Sequence, residues 1–256
     1  MELKDLQDRH KGKMGFVVGA GPSLHFQNVE PLKDYVTIAV NSGLVKVPFC
    51  DYYLSDDIGS KNYFYYLNLL PTLSCTSLLY EDKLSKYASH LKQERIVWFK
   101  HKWWFSPKDK KYNPEGLLLT KDAEKPIIGA RTSLASAIHI FYILGISPIV
   151  LLGTDCCYGI NDPRKRYFWQ YPGEPRVARI TGEPTFAMAN AGIRNGYPID
   201  SHCRDFLAYW DAFVEQNRNT TDLHIINASG GILEAFERMP LEDVLEKYKD
   251  LYKVSI

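Results

Sequence analysis

One unit recurs along this chain: a short apolar segment runs into a small residue, an amide or a carboxylate. Several of these segments are rich in Val and Ile and shorter than a helix, which is typical of buried strands. The intervening stretches leave room for the crossover helices that parallel strands require. The pattern therefore predicts an α/β fold: a Rossmann-like, open, mostly parallel twisted sheet with helices on both faces. The predicted strands are Gly15–Val18, Val36–Val40, Tyr52–Leu54, Ile96–Phe99, Ile149–Leu152 and His224–Ile226.

Three stretches with apolar residues at helical spacing predict helices. The clearest is Thr132–Leu144, whose first residue or Ser133 can cap its amino end and which Gly145 terminates. The other two cover roughly Cys203–Asn217 and Pro240–Tyr252. The first helix, its glycine turn and the strand that follows form half of a right-handed βαβ unit, which again favours a parallel sheet.

Size and charge limit the class of protein. The chain has 256 residues, 45% of them hydrophobic, which suits a single large domain over residues 1–256. Irregular stretches at roughly 100–125 and 158–200 interrupt the strand pattern, and we interpret them as lid-like insertions near a site. The net charge of +1 creates no field that would attract nucleic acid, so we expect no nucleic-acid partner.

The chain carries no pattern of a membrane or secreted protein. No apolar run approaches the roughly 20 residues of a membrane-spanning helix, and the first ten residues lack a signal-peptide core. We therefore expect a cytoplasmic protein without a transmembrane segment. The odd number of cysteines, five, predicts free thiols rather than a disulfide framework. A zinc site from Cys156, Cys157, His202 and Cys203 is disfavoured because the spacing is wrong for structural zinc.

The first predicted strand runs directly into a glycine-rich turn, Gly19-Ala-Gly21-Pro22-Ser23. Gly19 and Gly21 lack a Cβ atom, so a phosphate can approach the main chain and meet its N–H groups. This predicts a nucleotide-phosphate site formed by Gly19, Gly21, Pro22 and Ser23. The alternative is an ordinary tight turn between a strand and a helix, which the glycine pattern alone leaves open.

Polar residues follow the other predicted strands as well. In an open α/β sheet, ligands bind beyond the carboxyl ends of the strands, so these residues are expected on one rim. Five strand ends contribute to it: Gly19–Ser23, Asn41-Ser42, Asp56-Asp57, Gly153–Asp155 and Asn227–Gly231. Their convergence would form a binding site.

Individual rim residues suggest particular roles. The Asn41 amide offers both a donor and an acceptor for a base or ribose, and we also predict Asn227 to be a nucleotide contact. Asp56 and Asp155 are predicted to hold Mg²⁺ against phosphates, since hard cations take oxygen ligands. Helix capping or turn formation is the alternative role for these carboxylates.

Two basic residues outside the strand ends complete the predicted site. His202 precedes an amphipathic helix and is a candidate general base or acid, with a surface or capping role as the alternative. Arg131 lies at the mouth of the Thr132–Leu144 helix and is a candidate anion-binding residue. His139 lies inside that helix, where packing is the expected role.

The order of these motifs resembles the MptE-like family over most of the chain. Members of that family open with Gly-x-Gly-Pro-Ser-Leu and carry an Asn-Ser pair and an aspartate at the next two strand ends. A helix of small and apolar residues, a Gly-x-Asp and an Asn-Ala-(Thr/Ser) segment with two glycines follow. The matching positions are Gly19–Leu24, Asn41-Ser42, Asp56, Thr132–Leu144, Gly153–Asp155 and Asn227–Gly231.

The resemblance implies two kinds of chemistry. The family includes archaeal 6-hydroxymethyl-7,8-dihydropterin diphosphokinases, which use ATP and Mg²⁺, and the central domain of Maf flagellin glycosyltransferases. Both are similar to bacterial family 42 sialyltransferases, which have a Rossmann-like fold and use CMP-activated nonulosonic acids. That similarity implies nucleotide contacts from Asn41 and from Ser133 at the helix start, and a catalytic histidine at His202.

We therefore expect a nucleotide-dependent transferase that binds its nucleotide at the Gly-Ala-Gly-Pro-Ser loop. The first hypothesis is Mg²⁺-dependent diphosphoryl transfer from ATP to a pterin-like alcohol, with Mg²⁺ held by Asp56 and by Asp155, which is a candidate catalytic residue. The candidate catalytic base His202 belongs to the alternative. The alternative is a glycosyltransferase that uses a CMP-sugar of the sialic or nonulosonic acid type. A second alternative is a nucleotide-binding domain without catalysis. The expected partner is a nucleotide-activated small molecule; the sequence leaves the acceptor open, and a homo-oligomer is one expectation.

Overall fold

In the computed structural model of this chain, the described residues are 1–55, 69–81, 85, 91–103, 105–106, 111–113, 115–129, 132–160, 162, 165–174 and 192–251. Their strands are β1 Gly15–Val18, β2 Val36–Val40, β3 Tyr52–Ser55, β4 Thr76–Tyr80, β5 Ile96–Phe99, β6 His101–Trp103, β7 Phe105–Ser106, β8 Lys111–Tyr112, β9 Ile127–Gly129, β10 Ile149–Leu152, β11 Gly192–Arg194, β12 Tyr197–Ile199, β13 Ile225–Asn227 and β14 Glu237–Arg238. Their α-helices are α1 Gly43–Lys46, α2 Ser133–Ile143, α3 Ser201–Asn217 and α4 Leu241–Lys247.

Eight strands form one open sheet in the order β14-β13-β10-β1-β2-β3-β4-β5. All neighbouring strands in this sheet are parallel. The chain builds outward from β1 to β5 and then returns to the other side of β1 with β10. The predicted fold class, an open parallel α/β sheet with helices around it, is confirmed. The reversal between β1 and β10 is the topological switch point, where ligands bind in such sheets.

The central strands are buried along their whole length. Every residue of β1, β2 and β10 is buried, which explains why their sequences are continuous apolar runs rather than alternating ones. Helix α2 packs against β1, β2 and β3. A Cβ atom on Gly15 would lie 2.8 Å from the Phe141 ring, so the missing side chain lets the helix approach the sheet closely.

The helix predictions hold with small shifts. Thr132 caps α2 by accepting the Leu134 N–H, and the helix covers most of the predicted range. Helix α3 begins two residues earlier than predicted, because the Asp200 carboxylate accepts the Cys203 N–H at 2.8 Å and caps it. The last helix is shorter than predicted: α4 ends at Lys247, and a separate 3-10 turn follows it at Lys249–Leu251.

Two strands of the eight-stranded sheet, β4 and β14, are not predicted by the sequence patterns, and neither are the short strands outside that sheet. Strand β4 has only three apolar residues, Leu78–Tyr80. Its first two residues, Thr76 and Ser77, are polar, so the apolar segment is too short to be recognised from hydrophobicity. Strand β14 has two exposed residues and no apolar pattern at all. Both strands depend on a neighbour in the sheet, which local sequence does not reveal.

Two buried polar side chains, His139 and Asn217, form hydrogen bonds with the backbone in and just after the described part of the first insertion. The His139 Nδ1 accepts the Ile128 N–H at 2.9 Å, so Nε2 carries the proton and donates to the Thr120 carbonyl at 2.9 Å. The Asn217 amide bonds the backbone of Leu117 and Leu119 at 2.8 Å each. The predicted packing role of His139 is confirmed, because its ring is fully buried.

All five cysteines are free thiols, as predicted. Among the helices of the described residues, none combines the length and apolar character needed to cross a bilayer.

Candidate functional site

The glycine loop and the loop after β10 lie side by side at the switch point. Val18 and Leu152 are paired in register, so both strands end at the same level of the sheet. The Gly19 N–H donates to the Leu152 carbonyl at 2.8 Å, and the Gly21 N–H donates to the Gly153 carbonyl at 2.8 Å. These bonds extend the parallel ladder past the strands and bring two predicted site segments together.

The glycine at position 21 is required by this contact. A Cβ atom there would lie 1.9 Å from the Asp155 Oδ2 and 2.7 Å from the Gly153 carbonyl oxygen. Gly153 itself has a φ of +62°, a left-handed conformation that favours glycine. The glycine pattern thus serves close packing between two loops. Phosphate binding by Gly19, Gly21, Pro22 and Ser23 stays a prediction.

The Asp155 carboxyl group lies inside this packing. Its residue is 3% exposed, and Oδ2 accepts the Ser23 N–H at 3.3 Å. Burial raises the pKa of Asp155 from 3.8 to about 6, against the opposing effect of the Ser23 donors. A Cβ atom on Gly230 would lie 2.8 Å from the Ser23 Cβ, so the loop after β13 closes over the same contact.

A second pair of predicted residues meets at the end of β2. The Asn41 amide donates to the Ser133 hydroxyl at 3.3 Å across 92 residues of sequence. The Ser55 hydroxyl at the end of β3 donates to the Asn41 Oδ1 at 3.2 Å. Asn41 has a φ of +50°, and asparagine is one of the few residues that tolerate this conformation. Its amide is thereby held at the rim by partners from two other elements.

Gly19 connects the two groups of residues. A Cβ atom at Gly19 would lie 2.6 Å from the Gly153 carbonyl oxygen and 3.2 Å from the Leu134 side chain in the first turn of α2. The glycine loop therefore runs between the β10 loop on one side and the amino end of α2 on the other. The structure brings Gly19–Ser23, Asn41, Ser133 and Asp155 to one edge of the sheet.

Asn227 belongs to the same edge, and its side chain is engaged internally. Its Nδ2 donates to the Leu233 carbonyl at 2.7 Å, and its Oδ1 accepts the Ser229 N–H at 2.9 Å. The Ser229 hydroxyl in turn accepts the Thr154 N–H at 2.8 Å. The residue is 1% exposed, so its clearest contribution is to shape the loop beside β10, and nucleotide contact by Asn227 stays a prediction.

His202 is exposed at the second position of α3. The start of this helix is tied to the β10 loop, because the Tyr158 hydroxyl donates to the Asp200 carboxylate at 2.6 Å. Burial opposes ionisation of Asp200, but hydrogen bonds from Tyr158 and Cys203 lower its pKa to about 2. The helix that carries His202 is thereby fixed near the rim, and a catalytic role for the imidazole stays a prediction.

Two predicted site residues, Asp56 and Arg131, lie outside the described residues, as does Asp57. Within the described part of the chain, no group of three or more His, Cys, Asp or Glu side chains is arranged to hold a metal ion. The Mg²⁺ site from Asp56 and Asp155 therefore stays a prediction. Burial raises the pKa of the Cys156 thiol to about 12 and of the Cys203 thiol to about 11, so both stay protonated.

Sequence reasoning missed a polar cluster beside the glycine loop. The Glu174 carboxylate binds both Lys46 and His25, and the Phe168 N–H from the same insertion donates to the Ala20 carbonyl at 3.1 Å. Lys46 and Glu174 are 128 residues apart, and neither stands in a recognisable motif. The position of Lys46 shortly after the Asn41-Ser42 strand end is the only signal that the sequence offers.

Comparison with known proteins supports the fold. No protein-family model matches the chain, and no curated protein matches its sequence. Among solved structures, it is similar to a Maf glycosyltransferase from Magnetospirillum magneticum AMB-1, with a TM-score of 0.54 and 13% identity. The match covers 98% of this chain and 41% of that chain, so this chain spans less than half of the glycosyltransferase. The likeness supports a distant glycosyltransferase-like fold and not the MptE-like family in particular.

Proposed function

We propose that this protein is a glycosyltransferase that binds a CMP-activated sugar of the nonulosonic acid type at the carboxyl edge of its sheet. The support is the structural likeness to a Maf glycosyltransferase together with the convergence of predicted nucleotide contacts at the switch point. At 13% identity the likeness concerns the fold, so the activity rests on the chemistry of the site.

The contact between Asn41 and Ser133 carries the proposal. An amide held by the hydroxyls of Ser55 and Ser133 keeps a fixed orientation, which is what recognition of a base or ribose edge requires. The glycine loop passes between this pair and the β10 loop, and its Gly19, Gly21 and Ser23 N–H groups donate to the end of β10 and its loop, so a phosphate beside the loop would be held by other donors. One edge thus offers a nucleoside contact directly beside the glycine loop.

In the proposed reaction, an acceptor hydroxyl attacks the anomeric carbon of the bound sugar. A bond forms between the acceptor oxygen and that carbon, while the bond from the carbon to the phosphate oxygen breaks. The electron pair of the broken bond leaves with CMP, and the acceptor proton passes to His202 as general base. His202 is exposed at the start of a capped helix, so an acceptor can reach it.

The diphosphokinase hypothesis has less support. It requires Asp155 to coordinate Mg²⁺, yet this carboxyl group is 3% exposed and already accepts the Ser23 N–H. ATP with Mg²⁺ is therefore the competing ligand in the test.

Calorimetry with CMP, CTP and ATP–Mg²⁺ tests the proposal. We expect CMP to bind without Mg²⁺, and Asn41→Asp to weaken CMP binding by about tenfold or more, roughly 1.4 kcal/mol. The substitution keeps the size and the tolerance for a left-handed backbone, but it replaces the amide donor with a negative charge near the phosphate. Asn219→Asp, at an exposed position after α3, is the matched control and should leave CMP affinity unchanged.

Binding of ATP–Mg²⁺ in preference to CMP would favour the diphosphokinase. Equal CMP affinity in the wild type and in Asn41→Asp would remove the nucleoside contact on which the proposal depends.

A further inference from the structure

A buried carboxylate occupies a place between two donors beside the glycine loop. The Oε1 atom of Glu174 accepts hydrogen bonds from the Lys46 ammonium at 2.5 Å and from the His25 Nδ1 at 2.9 Å. The Glu174 side chain is only 8% exposed. Both donors converge on a single oxygen, so together they form a small pocket for an anionic oxygen.

The two donors come from the loops that are predicted to hold the nucleotide. His25 lies in the 3-10 turn Pro22–Phe26 that continues the glycine loop. Lys46 is the last residue of α1, which begins two residues after Asn41. Glu174 comes from a distant part of the chain, the insertion after β10, so the carboxylate enters the pocket from outside these two loops.

Aromatic side chains from the same insertion enclose this contact. The Tyr171 ring stacks on the His25 imidazole with centroids 4.5 Å apart and planes inclined by 10°. The Phe168 ring is fully buried, and its centroid lies 5.8 Å from the Lys46 ammonium. Such an enclosure leaves the Lys46 side chain 17% exposed and the His25 side chain 25% exposed, and it strengthens the interaction of Lys46 with the anion that it binds.

A buried ion pair is a poor means of stabilising a fold, because the loss of hydration offsets most of the attraction between the charges. A carboxylate oxygen and a phosphate oxygen accept the same hydrogen bonds from an ammonium and an imidazole N–H. We propose that Lys46 and His25 form the phosphate pocket of the nucleotide donor, and that Glu174 fills this pocket until the donor displaces it. The inference rests on the proposed function for the identity of the donor.

The variant Glu174→Gln tests this inference directly. It keeps the shape and the hydrogen-bond acceptor but removes the charge that competes with the ligand. A competing group lowers the apparent affinity, so its removal should strengthen CMP binding by about tenfold. Cytidine, which lacks the phosphate, should bind the wild type and the variant equally. Calorimetry with CMP, cytidine and inorganic pyrophosphate measures all three.

A double variant separates the pocket from the fold. Lys46→Met with Glu174→Gln removes both charges while preserving side-chain length, so neither charge is left buried without its partner. We expect the double variant to unfold near the wild-type temperature. We also expect it to lack the increase in CMP and pyrophosphate affinity that Glu174→Gln shows over the wild type. Glu215→Gln, which breaks an exposed pair with Arg218, is the matched control and should leave binding unchanged.

The outcomes distinguish this inference from the proposed function. Pyrophosphate contains neither base nor sugar, so tight binding to Glu174→Gln but not to the double variant supports the pocket even if no nucleotide binds. If CMP binds the wild type and Glu174→Gln shows no gain in affinity for CMP or pyrophosphate, the phosphate pocket is overturned. The proposed function is unaffected by that result. Weaker CMP binding in Glu174→Gln also overturns the phosphate pocket, because the carboxylate would then support the ligand.

Discussion

Two buried titratable side chains, His139 and Asp155, lie in different hydrogen-bonding environments. Each is almost completely removed from water. Both ring nitrogens of His139 are engaged by the backbone, whereas the Asp155 carboxyl group accepts the Ser23 N–H at the long distance of 3.3 Å. A histidine whose two nitrogens bond the backbone serves the structure, whereas a buried carboxyl group with a shifted pKa where several loops converge is typical of a site.

Their pKa shifts have opposite consequences for stability. Burial lowers the pKa of His139 from 6.5 to about 3, so its contribution is complete above pH 6.5 and is lost as the pH falls towards 3. Burial raises the pKa of Asp155 from 3.8 to about 6, so its contribution is complete below pH 3.8 and is lost as the pH rises through 6. At neutral pH, therefore, His139 makes its full contribution to the free energy of unfolding, whereas the contribution of Asp155 has been lost.

The largest expected effect comes from removing the hydrogen bonds of His139. His139→Leu leaves the Ile128 N–H and the Thr120 carbonyl buried without their partner, and we expect a loss of about 3–5 kcal/mol in the free energy of unfolding. Urea unfolding at pH 7 measures this loss. The control His224→Leu removes a half-exposed histidine paired with Glu237 and should cost less than about 1 kcal/mol. Equal losses in the two variants would contradict the structural role of His139.

The second expected effect has the opposite sign. Asp155→Asn removes the cost of a buried negative charge, and it should raise the free energy of unfolding at pH 7 by about 1–3 kcal/mol. The gain should shrink as the pH falls towards 4, where the wild-type carboxyl group is increasingly protonated in both states. Asp211→Asn, at an exposed position in α3, is the control and should show no such gain. If Asp155→Asn were less stable than the wild type at pH 7, the carboxylate would be a structural group like His139.

The smallest expected effect concerns how the free energy of unfolding depends on pH. His139→Gln keeps one acceptor and one donor but cannot be protonated near neutral pH. Between pH 7 and pH 5.5 the wild type should lose about 1 kcal/mol through His139, and the variant should lack this loss. Urea unfolding of both proteins at the two pH values gives the difference. Parallel curves would mean that His139 is not held neutral by its burial.

Much of the fold can be predicted because strands and helices are encoded locally. The apolar runs of β1, β2 and β10 and the capped helix α2 are continuous in sequence, and their predicted bounds agree with the structure within a residue or two. The rim can be predicted for the same reason, since the parallel arrangement brings strand ends together. The two-residue strand β14 and the mixed strand β4 have no such local signal.

The sequence by itself determined the parallel sheet, the glycine loop and the strand-end residues Asn41, Asp155 and Asn227 on its rim. Only the tertiary structure decided that β10 lies beside β1, that Asn227 bonds within its own loop, and that Glu174 reaches Lys46 and His25. The physical reason is the distance along the chain over which each kind of information acts. Hydrophobic periodicity reports the surroundings of a segment over a few residues, whereas burial and hydrogen bonding of a side chain depend on partners that the order of strands brings together.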